Sequence, residues 1–295
     1  MLKVATHAGT FHADDVFAFA ILRAAAGPIE LTRSRDAAVL ADADVVFDVG
    51  GVFDRAARRY DHHMRDKPQR PSGEPYSSAG LVWRDYGEAA IRALLPTASP
   101  DSLGRIAAMV DGGLIRDVDL MDNGAMTPTP GHFSTVVEAF NATFAENDRD
   151  ENEAFMRAAD LASAVLARVC ARAHAAVLAE QGVAEAAAAA RDPRIIVLDR
   201  RIPWEDAVFD LDLAEALYVV RPAGDAWTCS AVPPKRGSFE QRLPLPDPWG
   251  GLRDEALVAA TGVADATFCH PARFVCGARS QAGAVALAKA AVAAG

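Results

Sequence analysis

The chain is short of the residues that build two common kinds of site. Cysteine occurs four times in 295 residues, at Cys170, Cys229, Cys269 and Cys276, and never in a Cys-x-x-Cys pair. Neither a zinc knuckle nor a disulfide framework is indicated, and a reducing cytoplasm is the expected location. Basic charge is short too: 30 Lys and Arg against 40 Asp and Glu leave a net charge of −10. Wrapping duplex DNA needs clustered cations and is not expected, whereas a short single strand or a nucleotide fits a local basic pocket. No apolar run approaches the roughly 20 residues of a membrane helix, so no membrane partner is expected. The opening Met1-Leu2-Lys3-Val4-Ala5-Thr6-His7 turns polar too soon for a secretory leader.

What the chain does have is a concentration of imidazole and carboxylate. Four of its seven histidines fall at His7, His12, His62 and His63. Asp14, Asp48 and Asp61 lie among them. Imidazole plus carboxylate without thiolate is the ligand set for Mn²⁺, Mg²⁺ or Zn²⁺ in a hydrolytic site.

The surrounding pattern places these residues at strand ends. Leu2–Thr6 reads as a short buried strand, Asp15–Ala26 as a helix stopped by Gly27-Pro28, and Glu30–Arg33 and Asp44–Val49 as further strands. Ligands in such α/β sheets sit beyond the carboxyl ends of the strands. Residues 67–77 hold three prolines and form a loop; Arg65, Lys67 and Arg70, which follow the Asp-His-His triplet, read either as a solvated surface or as a rim that meets phosphates. Ser77-Ser78 caps a helix running to about Leu95. Further helices are predicted over Asp101–Val110, Ser134–Phe144 and, Ala-rich, 151–190. After Pro193, strands at Ile195–Leu198, Leu217–Arg221 and Trp227–Val232 mix with helices at Asp254–Thr261 and Gln281–Ala294.

The expected fold class is therefore α/β, with an open, mostly parallel N-terminal sheet flanked by helices, a long linker helix and a smaller C-terminal α+β domain. The expected boundaries are 1–148 for a metal-binding catalytic domain, 149–192 for the linker and 193–295 for a substrate-binding domain.

His7, His12 and Asp14 share one turn and can converge on one ion, the alternative being a helix cap by Asp14 with two incidental histidines. Asp48, ending the run Val45-Val46-Phe47, is placed to bridge two cations. Asp61-His62-His63 is divided by strand alternation: His62 to the metal, His63 to the substrate phosphate, Asp61 orienting an imidazole. Trp83, Trp204 and Trp249 read as packing residues.

His12-Ala13-Asp14, Asp48, Asp61-His62-His63 and a later Asp resemble the motifs of the DHH phosphoesterase superfamily of RecJ-type exonucleases, nano-RNA phosphatases and family II pyrophosphatases. More closely, Thr6 to Asp14, Arg59 to His63, Ser77 to Trp83, Asp119 to Gly124, Ile202-Pro203-Trp204, Arg242-Leu243-Pro244, Trp249 to Arg253 and Phe268-Cys269-His270 resemble the melanocyte-proliferating-gene-one family. The resemblance covers nearly the whole chain. It implies a metal-dependent 3′→5′ RNA exonuclease holding two divalent cations. RecJ-like members place Asp where His12 stands, so the more nitrogen-rich site favours Mn²⁺, with Mg²⁺ as the alternative. Asp119 and Asp122 compete for the remaining ligand position, with Asp122 preferred. The glycine-rich substrate loop common in the superfamily is absent, so Arg242, His270, Lys235 and Arg236 are the candidates for phosphate recognition. The rival readings are a small-molecule phosphohydrolase (pyrophosphate, nucleotide or cyclic dinucleotide) and a metal-stabilised binding protein without catalysis. A second copy of the chain is a candidate partner.

Overall fold

The computed structural model describes residues 1–146 and 149–295. The expected domain limit at residue 148 lies outside the described residues. Two compact units separate at His174/Ala175.

The first unit is built on a five-stranded sheet. Its strands are β1 (Leu2–Thr6), β2 (Ile29–Arg33), β3 (Val45–Phe47), β4 (Phe53–Asp54) and β5 (Arg59–Tyr60). They run in the order β2-β1-β3-β5-β4. All neighbours are parallel except the β4–β5 hairpin, and Val4 pairs with Leu31 on one side and Val45 on the other. The sheet is thus α/β, open and mostly parallel, as the residue pattern predicts. The observed β3 is shorter than the expected Asp44–Val49, because Asp48 leaves the extended region at φ 55.

Helices cover the sheet. α1 (Ala13–Ala26) follows β1 and α2 (Ala37–Asp42) follows β2. Ala5 and Val46 meet Leu40 and Ala43 on one face. α1 is apolar nearly all round, and Phe17, Phe19, Ile21 and Leu22 are fully buried. Each such side chain contributes about 1.5–3 kcal/mol. α3 (Ser78–Leu94), α4 (Pro100–Val110), a π-helical turn (Asp111–Ile115) and α5 (Arg116–Asp122) follow in near-continuity, then α6 (Phe133–Glu138). The expected helix over Ser134–Phe144 ends early. Asn141 leaves the helix to pair with the Phe11 backbone, its Oδ1 accepting from N (3.0 Å) and its Nδ2 donating to O (2.9 Å).

α7 (Glu151–Ala189) spans the division between the units. An 18-residue window of mean hydropathy 1.5 gives it the length and composition of a membrane span. The expectation that no segment reaches that level therefore does not hold for this helix, whose apolarity comes largely from alanine. Phe155, Ala158, Ala162, Leu166 and Cys170 along it are fully buried.

The second unit carries a five-stranded sheet of order β6-β7-β8-β10-β9. Its strands are β6 (Ile195–Val197), β7 (Tyr218–Ala223), β8 (Ala226–Ala231), β9 (Ala266–Cys269) and β10 (Val275–Ala278). α8 (Glu205–Asp210), α9 (Asp254–Thr261) and α10 (Gln281–Ala294) complete it. β9 and β10 escape the sequence pattern because Ala, Cys and Gly dilute their β propensity. Their pairing buries Cys269 and Cys276 with Tyr218 and Trp249 in one core.

Candidate metal centre

Adjacent strand ends bring the imidazoles and carboxylates together. β1, β3 and β5 are parallel neighbours, and the residue that follows each is His7, Asp48 and Asp61. The first turn of α1 adds His12, Asp14 and Asp15, and the last residue of α5 is Asp122. Asp48 is held in the left-handed region, with Gly50 (φ 101) and Gly51 (φ 69) completing a turn that a chain of larger residues would strain.

Asp48 is the hub. One oxygen lies 3.2 Å from His7 Nε2 and the other 3.4 Å from His62 Nε2. His62 Nε2 is also 3.6 Å from Asp14 Oδ2 and 3.1 Å from Asp122 Oδ2, and His7 Nε2 is 3.3 Å from Asp15 Oδ2. Four overlapping groups place their ligand atoms within 4.8 Å of one another: His7/His12/Asp48, Asp48/His62/His63, His12/Asp14/Asp122 and Asp14/Asp15/Asp48. Three of the four contain Asp48.

The residues fit divalent cations. Among the described residues, buried Asp14 Oδ1, Asp15 Oδ2 and both ring nitrogens of His62 have no hydrogen-bond partner, although buried polar atoms are nearly always paired. Imidazole and carboxylate lone pairs turned into one buried cluster are the donor set of such an ion. Electrostatics agree. Burial, then repulsion from Asp122, Asp48 and Asp15, pushes the Asp14 carboxyl well above the usual range. Burial and the Asp48 charge push Asp15 up to about 8, against the opposing pull of His7. Burial also raises Asp48, but the His62 and His7 imidazoles beside it outweigh burial and hold the group below its ordinary value. Burial lowers His7 and His62, yet Asp48 and the neighbouring carboxylates raise both overall. A positive ion would stabilise this set of carboxylates.

Asp61-His62-His63 departs from the strand alternation used to divide it. β5 ends at Tyr60, so the triplet lies beyond the strand, and the two rings sit 4.2 Å apart on the same side. Both reach Asp48, His63 through Nδ1 at 3.4 Å. Asp61 orients His63 and not His62: its Oδ1 accepts from His63 Nδ1 (2.8 Å) and from both histidine amides. Its Oδ2 accepts from Gly51 N (2.5 Å), tying this turn to the Asp48 turn. The His63 side chain is 61% exposed and lines two recesses beside the cluster.

Asp122, not Asp119, joins the cluster. Asp119 is fully buried and spent on structure: Oδ1 accepts from Ser77 N (3.1 Å), Ser77 Oγ (2.6 Å) and Gly80 N (3.0 Å), and Oδ2 takes Arg70. Arg70 leaves the solvated-loop reading as well, for it is buried, bound to Asp111 and Asp119, and stacked over Tyr76. Contrary to the expected cap, the hydroxyls of Ser77 and Ser78 make no capping hydrogen bond to α3. Ser77 serves Asp119, and Ser78 Oγ donates to Asp48 Oδ1 (3.2 Å).

The second unit's candidates are occupied or solvated. Arg242 donates to the carbonyls of Leu213 (2.7 Å), Ala214 (3.0 Å) and Ala216 (2.9 Å), so its guanidinium holds a loop in place of a phosphate. Arg236 is paired with Asp206 and Asp210. His270 is exposed and accepts from Ala272 N within its own turn, beside Phe274. Lys235 is an exposed turn residue. Asp15 is the ligand candidate that sequence reasoning missed, because acidic residues in a first helical turn are common for dipole reasons alone.

Comparison with known proteins agrees with the motif reading. The family model MYG1_exonuc, described as "Uncharacterised protein family (UPF0160)", matches residues 3–292. The MYG1 exonuclease of Homo sapiens is 33% identical, over 99% of this chain and 86% of the human one. The MYG1 protein of Schizosaccharomyces pombe is 31% identical, over 98% and 97%. The crystal structure of RecJ in complex with Mg²⁺ from Thermus thermophilus is 14% identical, with a TM-score of 0.29, over 99% of this chain and 50% of RecJ, a likeness too low to carry an inference. With a family model spanning residues 3–292, the chain belongs to the MYG1_exonuc family.

Proposed function

We propose that the chain is a divalent-cation-dependent exonuclease that trims short single-stranded RNA from its 3′ end in the cytoplasm. The observation that carries this reading is the cluster, buried at its centre and open at His12 and His63, in which three of four ligand groups share Asp48. One carboxylate common to several groups suits a pair of ions, and the nitrogen-rich donor set favours Mn²⁺ over Mg²⁺. The relatives named exonucleases support the nuclease class.

His7, His12, Asp14, Asp15, Asp48, His62 and Asp122 are the residues that would hold the cations. Divalent cations held there supply Lewis-acid activation of water and stabilisation of charge on the phosphoryl oxygens. The protein's own groups do the rest. Asp61 fixes His63 through Nδ1, which leaves Nε2 to give a proton to the leaving oxygen or take one from water. Burial of Asp14, Asp15 and His62 keeps bulk water from competing for the same donors. No cysteine or serine nucleophile is required.

The test is turnover by metal-loaded protein on a panel of oligoribonucleotide, oligodeoxyribonucleotide, pyrophosphate and bis(p-nitrophenyl) phosphate. Stepwise shortening of the oligoribonucleotide from the 3′ end is the expected result. Turnover of pyrophosphate alone would make the chain a small-molecule phosphohydrolase, and no turnover with any divalent metal would remove it from the enzymes.

A further inference from the structure

The cluster is flanked by two recesses that meet at His12 and His63. The smaller, about 350 Å³, is walled by Met121, Asp122, Ser134 and Glu138 and has Lys67 as its one cation. The larger, about 680 Å³, runs along the turns Gly9-Thr10 and Gly50-Gly51 and has Arg35 as its one cation. Both volumes lie in the range of small-ligand sites, roughly 300–1,000 Å³.

Arg35 is exposed, and among the described residues its side chain is unpaired. It lies two residues beyond β2, where Ser34 N donates to Thr6 O (2.8 Å) and extends the β1–β2 ladder to the edge where His7 begins. The adjacent carboxylate, Asp36, is occupied in capping α2 through Ala38 N (2.8 Å). Arg33, on the same strand, is committed to Gly9 O and Glu151 O. Among the described residues Arg35 makes no hydrogen bond or ion pair, and no carboxylate neutralises it. Lys67, by contrast, donates to Asn123 Oδ1 (2.7 Å), with Asn123 fixed in turn by the Asp119 and Tyr76 carbonyls.

We infer that Arg35 binds the phosphate next to the one under attack, on the strand that stays bound, so that the larger recess selects a substrate with at least two phosphodiester links. This rests on the phosphodiesterase reading and deepens it. The smaller, walled recess suits the terminal unit that leaves. An unpaired guanidinium presents paired N–H donors to a second phosphate. Pyrophosphate and mononucleotides have no flanking diester there, and gain nothing from it.

The experiment is binding of a fluorescein-labelled single-stranded oligouridylate to Ca²⁺-loaded protein over a range of salt, for wild type, Arg35→Gln and Arg35→Lys. A single-strand phosphate contact contributes about 0.7 to the slope of log K against log salt. Arg35→Gln is expected to flatten the slope by about that amount, with metal content unchanged, and Arg35→Lys to restore it. With Mn²⁺, the preference of wild type for a trinucleotide over a dinucleotide should disappear in Arg35→Gln. A wild-type slope in Arg35→Gln overturns the proposal alone, as does an equal loss in Arg35→Lys. Absence of oligouridylate binding by wild type overturns both the proposal and the nuclease reading.

Discussion

Asp48 stands in the left-handed backbone region, touches His7 and His62 on its two oxygens, and accepts from Ser78. Removing a carboxylate common to three ligand groups should release cation from more than one of them. Asp48→Ala is expected to bind fewer divalent ions per chain by elemental analysis and to lose turnover more than about a hundredfold. His63 is different. Held by Asp61 and more exposed than His7 or His62, it should be expendable for metal but not for chemistry. His63→Ala is expected to keep the wild-type metal content while kcat falls about 10²–10⁴-fold; a lost ion would make it a ligand. The titration of the metal-free cluster follows the same geometry. Asp14 and Asp15 lie above their ordinary values, so their stabilising protonated forms are present in acid and lost as pH rises, for Asp15 through about 8. His7 and His62 are also raised, and their contribution is likewise full below their ordinary value and lost above it. Asp48 acts oppositely, but only as pH falls through the acid range below its ordinary value. Thermal melts in chelator should therefore show the midpoint falling from about pH 5 to pH 8, and added Mn²⁺ should raise it more at the higher pH. A metal-free midpoint that rises over that interval would contradict the cluster's electrostatics.

At the scale of elements, one clamp positions the wall that carries Asp122. Asp119 on α5 caps the start of α3, Arg70 locks Asp119 to Asp111 of the π-helical turn, and Gly80 leaves the room. A Cβ on Gly80 would lie 2.1 Å from Asp119 Oδ2. Gly80→Ala is expected to lower stability by about 1–3 kcal/mol in denaturant unfolding and to weaken metal binding through Asp122. These elements were only partly legible in the sequence. Strand ends with polar clusters and the stop at Gly27-Pro28 are local signals; they placed β1 and the end of α1 correctly, and located β3 while overrunning both its ends. The roles of Asp119, Arg70 and the paired serines depend on partners 30 to 49 residues away, which no local pattern encodes. The same holds for the β9–β10 hairpin, whose small residues pair only because the rest of the sheet is present.

For the whole molecule, the residues legible in the sequence were those whose chemistry alone marks them. His7, His12, Asp14, Asp48, His62, His63 and Asp122 converge within the first unit. Arg242, Arg236, Lys235 and His270 carried a charge or a ring but no positional signal, and the fold uses the two arginines for its own loops and pairs. Arg242→Ala is accordingly expected to lower the stability of the second unit, by about 1–3 kcal/mol in denaturant melts, with KM little changed. A raised KM at unchanged stability would return Arg242 to the substrate. The net charge of −10 is consistent with a site that recruits phosphate through cations gathered at one cluster and not through a basic surface.

The most direct test of the central claim is readdition of Mn²⁺ to chelator-stripped protein, following bound metal and cleavage of a 5′-labelled single-stranded oligoribonucleotide in the same titration. The account predicts that activity returns as two ions per chain are bound, with products shortening from the 3′ end. Tight binding of no ion, or full metal loading without cleavage of the oligonucleotide, would contradict it.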